Sequence, residues 1–277
     1  MKNFETPIFE KINLDDISRN AEKFLKQEEI KIEDFTDLYG EENVKKDREY
    51  VEKREEEFAQ ESSPERKQAK RISTILEAVI HDQVELSDWF GPNAVTIKPS
   101  RFDDIKNGVD SIAEFQEPKK SASYFALAID ATLSADIKNK FDRIKEEIWR
   151  GELAKVKYFS SDYMNIRGEL NKIPRVVIGT DFKTVKELGE LWSEKNNKAL
   201  EKHPIQFIIL KEILFQCEAF KAYAKEVNQP EIAAIYERSQ KIVQEIYAKK
   251  QVSMPKEESY DNVLSAIKGN LESFQNL

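Results

Sequence analysis

The stretch that most constrains this chain is Gly108 to Thr132. It reads G-V-D-S-I-A-E-F-Q, a polar turn, and then Y-F-A-L-A-I-D-A-T. Val109, Ser111, Ala113 and Phe115 alternate with Asp110, Ile112 and Glu114, which is the two-residue period of a strand. The second half is almost wholly apolar, as a strand buried on both faces is. The E-P-K-K-S between them predicts a hairpin loop. If that hairpin pairs Gln116 with Tyr124, Asp110 lies opposite Asp130 on one face, with Cβ atoms roughly 4.5–5.5 Å apart. Two like charges so close destabilise a sheet, and a divalent cation between them reverses the sign of that term. A slip of one residue would send the two acids to opposite faces. The plainer reading is that Asp110 hydrogen-bonds its own turn beside Gly108, and that Asp130 caps the loop before Ser134.

Composition narrows the chemistry. The 277 residues suffice for one large domain or two small ones. With 44 basic and 52 acidic side chains the net charge is −8, so no global positive field draws in nucleic acid or an anionic membrane. No apolar run approaches the roughly 20 residues of a membrane span. The start, Met1-Lys2-Asn3-Phe4-Glu5, has no apolar core of the kind a secretory signal carries, so a cytoplasmic location is expected. Cys217 is the one cysteine, which excludes an intramolecular disulfide and a cysteine zinc cluster. It falls in the apolar run Phe207–Phe220, where a buried structural thiol is expected. His81 and His203 are the two histidines, too few for a histidine-rich metal site.

Three regions follow from the pattern. Residues 1–62 read as a charged helical arm: Leu14, Ile17, Ala21, Phe24 and Leu25 fall at helical spacing, and the sparse apolar positions Val44, Tyr50, Val51 and Phe58 suggest an exposed helix or a mobile arm. Residues 63–180 read as an α/β core. Ser63-Pro64-Glu65 starts a helix running to about Asp82, with Ile72, Ile75, Leu76 and Val79 in one stripe and Glu77 away from its centre. Trp89-Phe90 anchors a break, a short strand covers Ala94–Lys98, and Lys98 and Arg175 read as surface charges. Beyond the two central strands, Ile137, Phe141, Ile144 and Ile148 give a helix ended by Gly151, and Leu153–Phe159 and Pro174–Gly179 are strands. A strand–helix–strand connection of that length favours a parallel pair. Residues 181–277 read as four helices that either pack on the sheet or form their own antiparallel bundle.

The order helix, three strands, helix, strand, with Asp110 on the second strand and Asp130 ending the third, resembles the PD-(D/E)xK nuclease-like superfamily over roughly Ile72 to Gly179. The resemblance implies a restriction-endonuclease-like fold: a central mixed sheet of about four to five strands flanked by helices. It further implies a magnesium site (manganese substituting) built from Glu77, Asp110 and Asp130, and hydrolysis of phosphodiester bonds in DNA or RNA. Magnesium suits such acids because it prefers hard oxygen ligands, and it activates water for attack on phosphorus. The sequence departs from the family at the third motif position, where Asp130-Ala131-Thr132 has threonine in place of lysine. Thr132 can hydrogen-bond a water but brings no charge; Lys138 or Lys157 would have to supply it. The departure leaves a second function open: a non-catalytic interaction or scaffold protein on a degenerate nuclease-like fold, engaging a protein partner through its helical C-terminal region.

Overall fold

The computed structural model describes residues 14–61, 63–117, 121–130, 136–161, 163–253 and 262–274 of the chain, with 126–130 described by their backbone. Helix α1 (Leu14–Glu28) buries Ile17, Ala21 and Leu25, the predicted stripe. After a short turn come α2 (Thr36–Tyr39) and α3 (Glu41–Glu61). Although α3 is largely exposed, it is docked: Val44 is buried in a cluster with Phe35, Phe102 and Tyr158, and Tyr50 and Val51 pack against it.

Helix α4 (Pro64–Leu86) starts as its sequence predicts. The Ser63 side chain accepts a hydrogen bond from the Arg66 N–H and Pro64 occupies the first turn. The helix runs one turn beyond Asp82, the predicted end. Trp89 and Phe90 then plug into the core, with the Trp89 indole N–H donating to the Leu200 carbonyl at 3.0 Å. Strand β1 (Ala94–Ile97) leads into α5 (Arg101–Asn107), a helix the apolar pattern does not announce. Its signals are local: the Ser100 hydroxyl accepts from the Asp103 N–H, and Gly108 ends it in the left-handed conformation, φ +61°. A side chain at Gly108 would also collide with the Arg143 guanidinium.

Strands β2 (Ser111–Glu117) and β3 (Ser121–Asp130) are antiparallel, as expected, but in a different register. Gln116 faces Ala122, and Tyr124 faces Glu114. The expected register would set Phe115 directly opposite Phe125. Instead Phe125 sits opposite the small Ala113, and the two rings meet diagonally, 5.5 Å apart, with Phe115 also stacked on Phe90.

Helix α6 (Asp136–Trp149) follows; Ser134, expected to cap it, lies outside the described residues. Next come β4 (Ala154–Ser161), β5 (Ile166–Ile173) and β6 (Arg175–Gly179). The parallel partner of β3 is β6, giving a four-stranded mixed sheet of order β1-β2-β3-β6, while β4 and β5 form a separate antiparallel pair. The side chains explain the choice. β6 is buried at every position, whereas in β4 buried residues alternate with Lys155 and Lys157 over its first half. Continuous apolar strands suit a parallel neighbour between layers; alternating ones suit a ladder with one wet face.

The remaining helices are α7 (Phe182–Ser193), α8 (Asn197–Glu201), α9 (Ile205–Glu226), α10 (Pro230–Ser253) and α11 (Asn262–Leu271). They pack on the sheet: one apolar cluster joins Ile17 of α1, Ile75 of α4, Phe125 of β3, Ile178 of β6, Phe220 of α9 and Val243 of α10. Helix α9 also seals the open edge of β6. Gln216 accepts from the Val177 N–H at 2.7 Å and donates to the Val177 carbonyl at 2.6 Å, and Glu212 accepts from the Gly179 N–H at 3.0 Å. Two side chains thereby stand in for a fifth strand. Cys217, between them and Lys221, is fully buried, and burial pushes its thiol well above the ordinary range. No described helix is long and apolar enough to cross a membrane.

Candidate functional site

The strand pairings bring four chain segments to one end of the sheet. Ile97 pairs with Ile112, so Lys98, which follows β1, lies at the start of β2 beside Asp110. Ser111 pairs with Leu127 and Asp130 pairs with Gly179, so the end of β3 and the end of β6 lie there too. The observed register runs two residues away from the expected one: continued past Ser111 it would set Asp110 against Ala128, not directly against Asp130. A shift of two preserves the face, because side chains alternate with a period of two. The acid pair therefore becomes a staggered pair in backbone placement. The Asp130 side chain and Thr132 lie outside the described residues.

At the centre of this end is Lys98, a residue the sequence reading placed at the surface. It is 6% exposed. Strand alternation explains why: Ala94, Thr96 and Lys98 share the inward face, and the Thr96 hydroxyl donates to the His81 carbonyl of α4 at 2.8 Å. The Lys98 ammonium lies 2.6 Å from Glu77 Oε1, donates to the Asp110 carbonyl at 2.9 Å, and is 3.7 Å from Asp104 Oδ2. Asp104, on α5, is also held by Arg101, 2.6 Å away, which in turn reaches Glu55 of α3 at 2.7 Å. The N-terminal segment closes over this cluster, with the Ile30 N–H donating to the Lys98 carbonyl at 3.1 Å.

The electrostatics follow from burial and from an excess of acid. Burial raises the Glu77 carboxyl to about 7; Lys98 opposes that rise, and Asp110 and Asp104 add to it. Lys98 is pushed above the ordinary lysine range: Glu77, Asp104 and Asp110 outweigh the effect of its burial. His81, one turn along α4 from Glu77, is buried and lowered to about 4 by desolvation and by Lys98, so it is neutral at pH 7.

The other residues singled out in the sequence stand elsewhere. Lys157 is held on α3 by Asp47 at 2.5 Å, with its ammonium over the rings of Tyr39, Phe102 and Tyr158. Lys138 is 71% exposed and paired with Asp142, one turn on along α6, at 2.5 Å. Both bonds occupy the charge that each lysine was expected to bring to the acids. Arg175, the other expected surface charge, is buried, donating to the Gly108 and Asn107 carbonyls and pairing with Glu147.

As a magnesium site, the cluster fits in part. Asp110 lies at this sheet end near the backbone of Asp130, whose side chain is outside the described residues. Glu77 does not fit, because its Oε1 is already paired with an ammonium. Among the described residues no group of three or more His, Cys, Asp or Glu side chains is placed to hold a metal ion. Sequence reasoning missed Lys98, Asp104 and Arg101. The usable signal was the phase of β1, which puts a lysine on the buried face. No protein-family model, curated protein or solved structure matches this chain.

Proposed function

We propose that the chain is a metal-dependent phosphodiester hydrolase of the PD-(D/E)xK kind, acting on DNA or RNA, on a restriction-endonuclease-like core formed by α4, β1, β2, β3, α6 and β6. One observation carries the reading: the ladder of β1-β2-β3-β6 brings Asp110, Asp130 and a buried lysine to a single sheet end beside Glu77 of α4. The expected order is interrupted by α5 between β1 and β2 and by the separate β4–β5 pair after α6, but a parallel strand, β6, does pair with β3 beyond α6.

In this reading Asp110 and Asp130 hold magnesium, or manganese in its place. When bound, the ion supplies a water of lowered pKa and neutralises charge developing at phosphorus. The protein's own part is to bring the backbone of the two acids to one end of the sheet, Asp110 just before β2 and Asp130 at the end of β3. The Lys98 bond to the Asp110 carbonyl pins the backbone at the β2 start. The acidic net charge argues for binding that depends on local contacts, since non-specific duplex affinity comes largely from Lys and Arg at phosphates.

The Lys98–Glu77 pair favours a second reading, in which an internal cation already balances the acids and the sheet is a scaffold for a protein partner on the C-terminal helices. Calorimetric titration of manganese separates the two. Binding at one or two equivalents, lost in Asp110→Ala and Asp130→Ala while both stay folded, is the expected result. Cleavage of single- or double-stranded DNA or RNA that vanishes in the same variants completes it. A folded wild type that takes up no manganese and cuts none of these substrates would sink the hydrolase and leave the scaffold.

A further inference from the structure

We propose that residues 29–61 are an acidic strap masking a face, on α5 and the β4–β5 pair, that binds single-stranded nucleic acid. The inference rests on the hydrolase reading for the kind of polyanion, and it names where a strand would lie and what holds it off. The strap carries 13 acidic and 6 basic side chains, so nearly all of the chain's net charge of −8 resides in it. The acidic balance that tells against nucleic acid is therefore the property of one segment.

What that segment covers is basic. Glu55 of the strap holds Arg101 at 2.7 Å, Asp47 holds the Lys157 ammonium at 2.5 Å, and Asp37 accepts from Arg167 at 2.6 and 2.7 Å. Lys106 lies 4.6 Å from the centre of the Tyr50 ring. These four cations of the body gather around two of its rings, Phe102 and Tyr158, which meet edge to face at 5.7 Å. Lys157 lies over both rings, Tyr50 joins Lys106 to Phe102, and Arg167 covers Phe35, which packs on Tyr158. Cations for phosphates interleaved with rings for bases suit a single strand, whose bases are free to stack. Arg101 also holds Asp104, 3.7 Å from the Lys98 ammonium, so the face adjoins the acid-rich sheet end.

The strap is built to leave without taking the core with it. Its buried side chains, Ile32, Phe35 and Val44, share a cluster with Phe102 and Tyr158 that is separate from the main one. Ile17 of α1, before the strap, and Ile75 of α4, after it, belong to the main core. The other attachments are polar: the Tyr39 hydroxyl donates to the Lys157 carbonyl at 2.8 Å, and the Ile30 N–H to the Lys98 carbonyl at 3.1 Å. A segment with its own small cluster and exposed ion pairs opens at less cost than the whole fold. An arriving strand competes with Glu55, Asp47 and Asp37 for the same cations, and its bases replace the strap's rings on Phe102 and Tyr158.

The test uses the full chain without divalent metal, so binding is read apart from manganese uptake and cleavage. Fluorescent single-stranded thymidine and uridine oligonucleotides are titrated into the wild type and into Asp37→Ala/Glu55→Ala, which removes two exposed acids of the strap. Hydrogen exchange follows the strap amides in both proteins. In the variant those amides should exchange faster while β2 and β3 do not change. Affinity for the single strand should rise about tenfold, the gain in open population that two lost surface pairs allow. Adding Lys106→Ala and Arg167→Ala should abolish that gain. Strap amides that exchange only together with β2 and β3 would make the segment part of the core and overturn the proposal. So would an opened variant that binds no better than the wild type, a gain that survives loss of Lys106 and Arg167, or a preference for duplex. Tighter binding by an opened chain that takes up no manganese and cuts nothing would keep the masked face and sink only the hydrolase.

Discussion

Two buried cations, Lys98 and Arg175, sit among partners of different kinds. Arg175 is 2% exposed, and each part of its guanidinium meets a fixed partner: the carbonyls of Asn107 and Gly108, and the Glu147 carboxylate, which Arg143 shares. Two cations there face one acid and two carbonyl dipoles. Around Lys98 the balance is reversed: Glu77, Asp104 and Asp110 surround it, and Arg101 is the second cation at Asp104. A locally saturated cluster is architecture. A buried cluster with acid in excess can gain from one more positive charge, and that is the condition a cation-dependent site needs.

The largest effect should therefore come from the saturated side. Arg175→Met leaves Glu147 without its buried partner and takes a donor from the Gly108 carbonyl, while the Asn107 carbonyl keeps Arg143. Urea unfolding should show a loss of about 3–5 kcal/mol, the usual result of breaking one half of a buried pair. A loss below 1 kcal/mol would mean that Arg175 is no more committed than Lys98, and the contrast would fail. The sealed edge of β6 comes next. Gln216→Leu strands the Val177 N–H and carbonyl in the core, at a cost of about 2–4 kcal/mol. The same unfolding measurement checks it, with manganese affinity expected to be untouched.

The acid-rich side should instead show itself through pH, where two groups pull in opposite directions. Glu77 rises from 4.5 to about 7 on folding, so the native state holds its proton more tightly. The stability that proton brings is full below about 4.5 and is lost as pH rises through 7. His81 falls from 6.5 to about 4, so its contribution is present above 6.5 and lost as pH falls through 4. In the wild type these slopes oppose each other between pH 4.5 and 6.5. Glu77→Gln should uncover the histidine limb, making stability climb more steeply with pH across that window. His81→Phe should uncover the glutamate limb, so that stability declines toward pH 7 relative to the wild type. Urea midpoints across the window, read as variant-minus-wild-type differences, check both. Parallel curves would mean that neither group is perturbed by the cluster.

The sequence carried the elements better than their partners. The α4 start at Ser63-Pro64, the strands around Asp110 and Asp130 and the buried run at Ile208–Leu210 are local patterns, and local patterns survive folding. Pairing is not local. The β2–β3 register was decided by fitting Phe125 opposite Ala113, and the parallel partner of β3 by which later strand could be buried throughout. At the site, the nearness of Asp110 and Asp130 on neighbouring chain segments was legible from chain order, but their direct pairing was not, and Asp110 falls in the bend just before β2. Lys98 was not legible, because a lysine read by residue type goes to the surface, whereas read by strand phase it goes inward with Thr96. Arg175 was misplaced for the same reason. Helix α5 was overlooked because its evidence is a cap and a left-handed glycine at either end, with only Phe102 and Ile105 as apolar pattern between them.

The smallest expected effect is the one that sharpens the comparison most. Lys138 was a candidate for the missing charge because it lies eight residues beyond Asp130, near the start of the following helix. Its ammonium is instead a solvated partner of Asp142 on the same helix face. Exposed pairs at this spacing contribute only about 0.3–0.5 kcal/mol, since water and salt screen them and both side chains must be ordered. Lys138→Ala should therefore lower the unfolding free energy from urea curves by no more than that, and manganese and phosphate affinities should not move. If phosphate binding nevertheless fell with Lys138→Ala, the cation serving the acids would come from the exposed helix. The buried lysine would then belong with Arg175 among the structural charges, and the excess of acid around it would be a feature of packing alone.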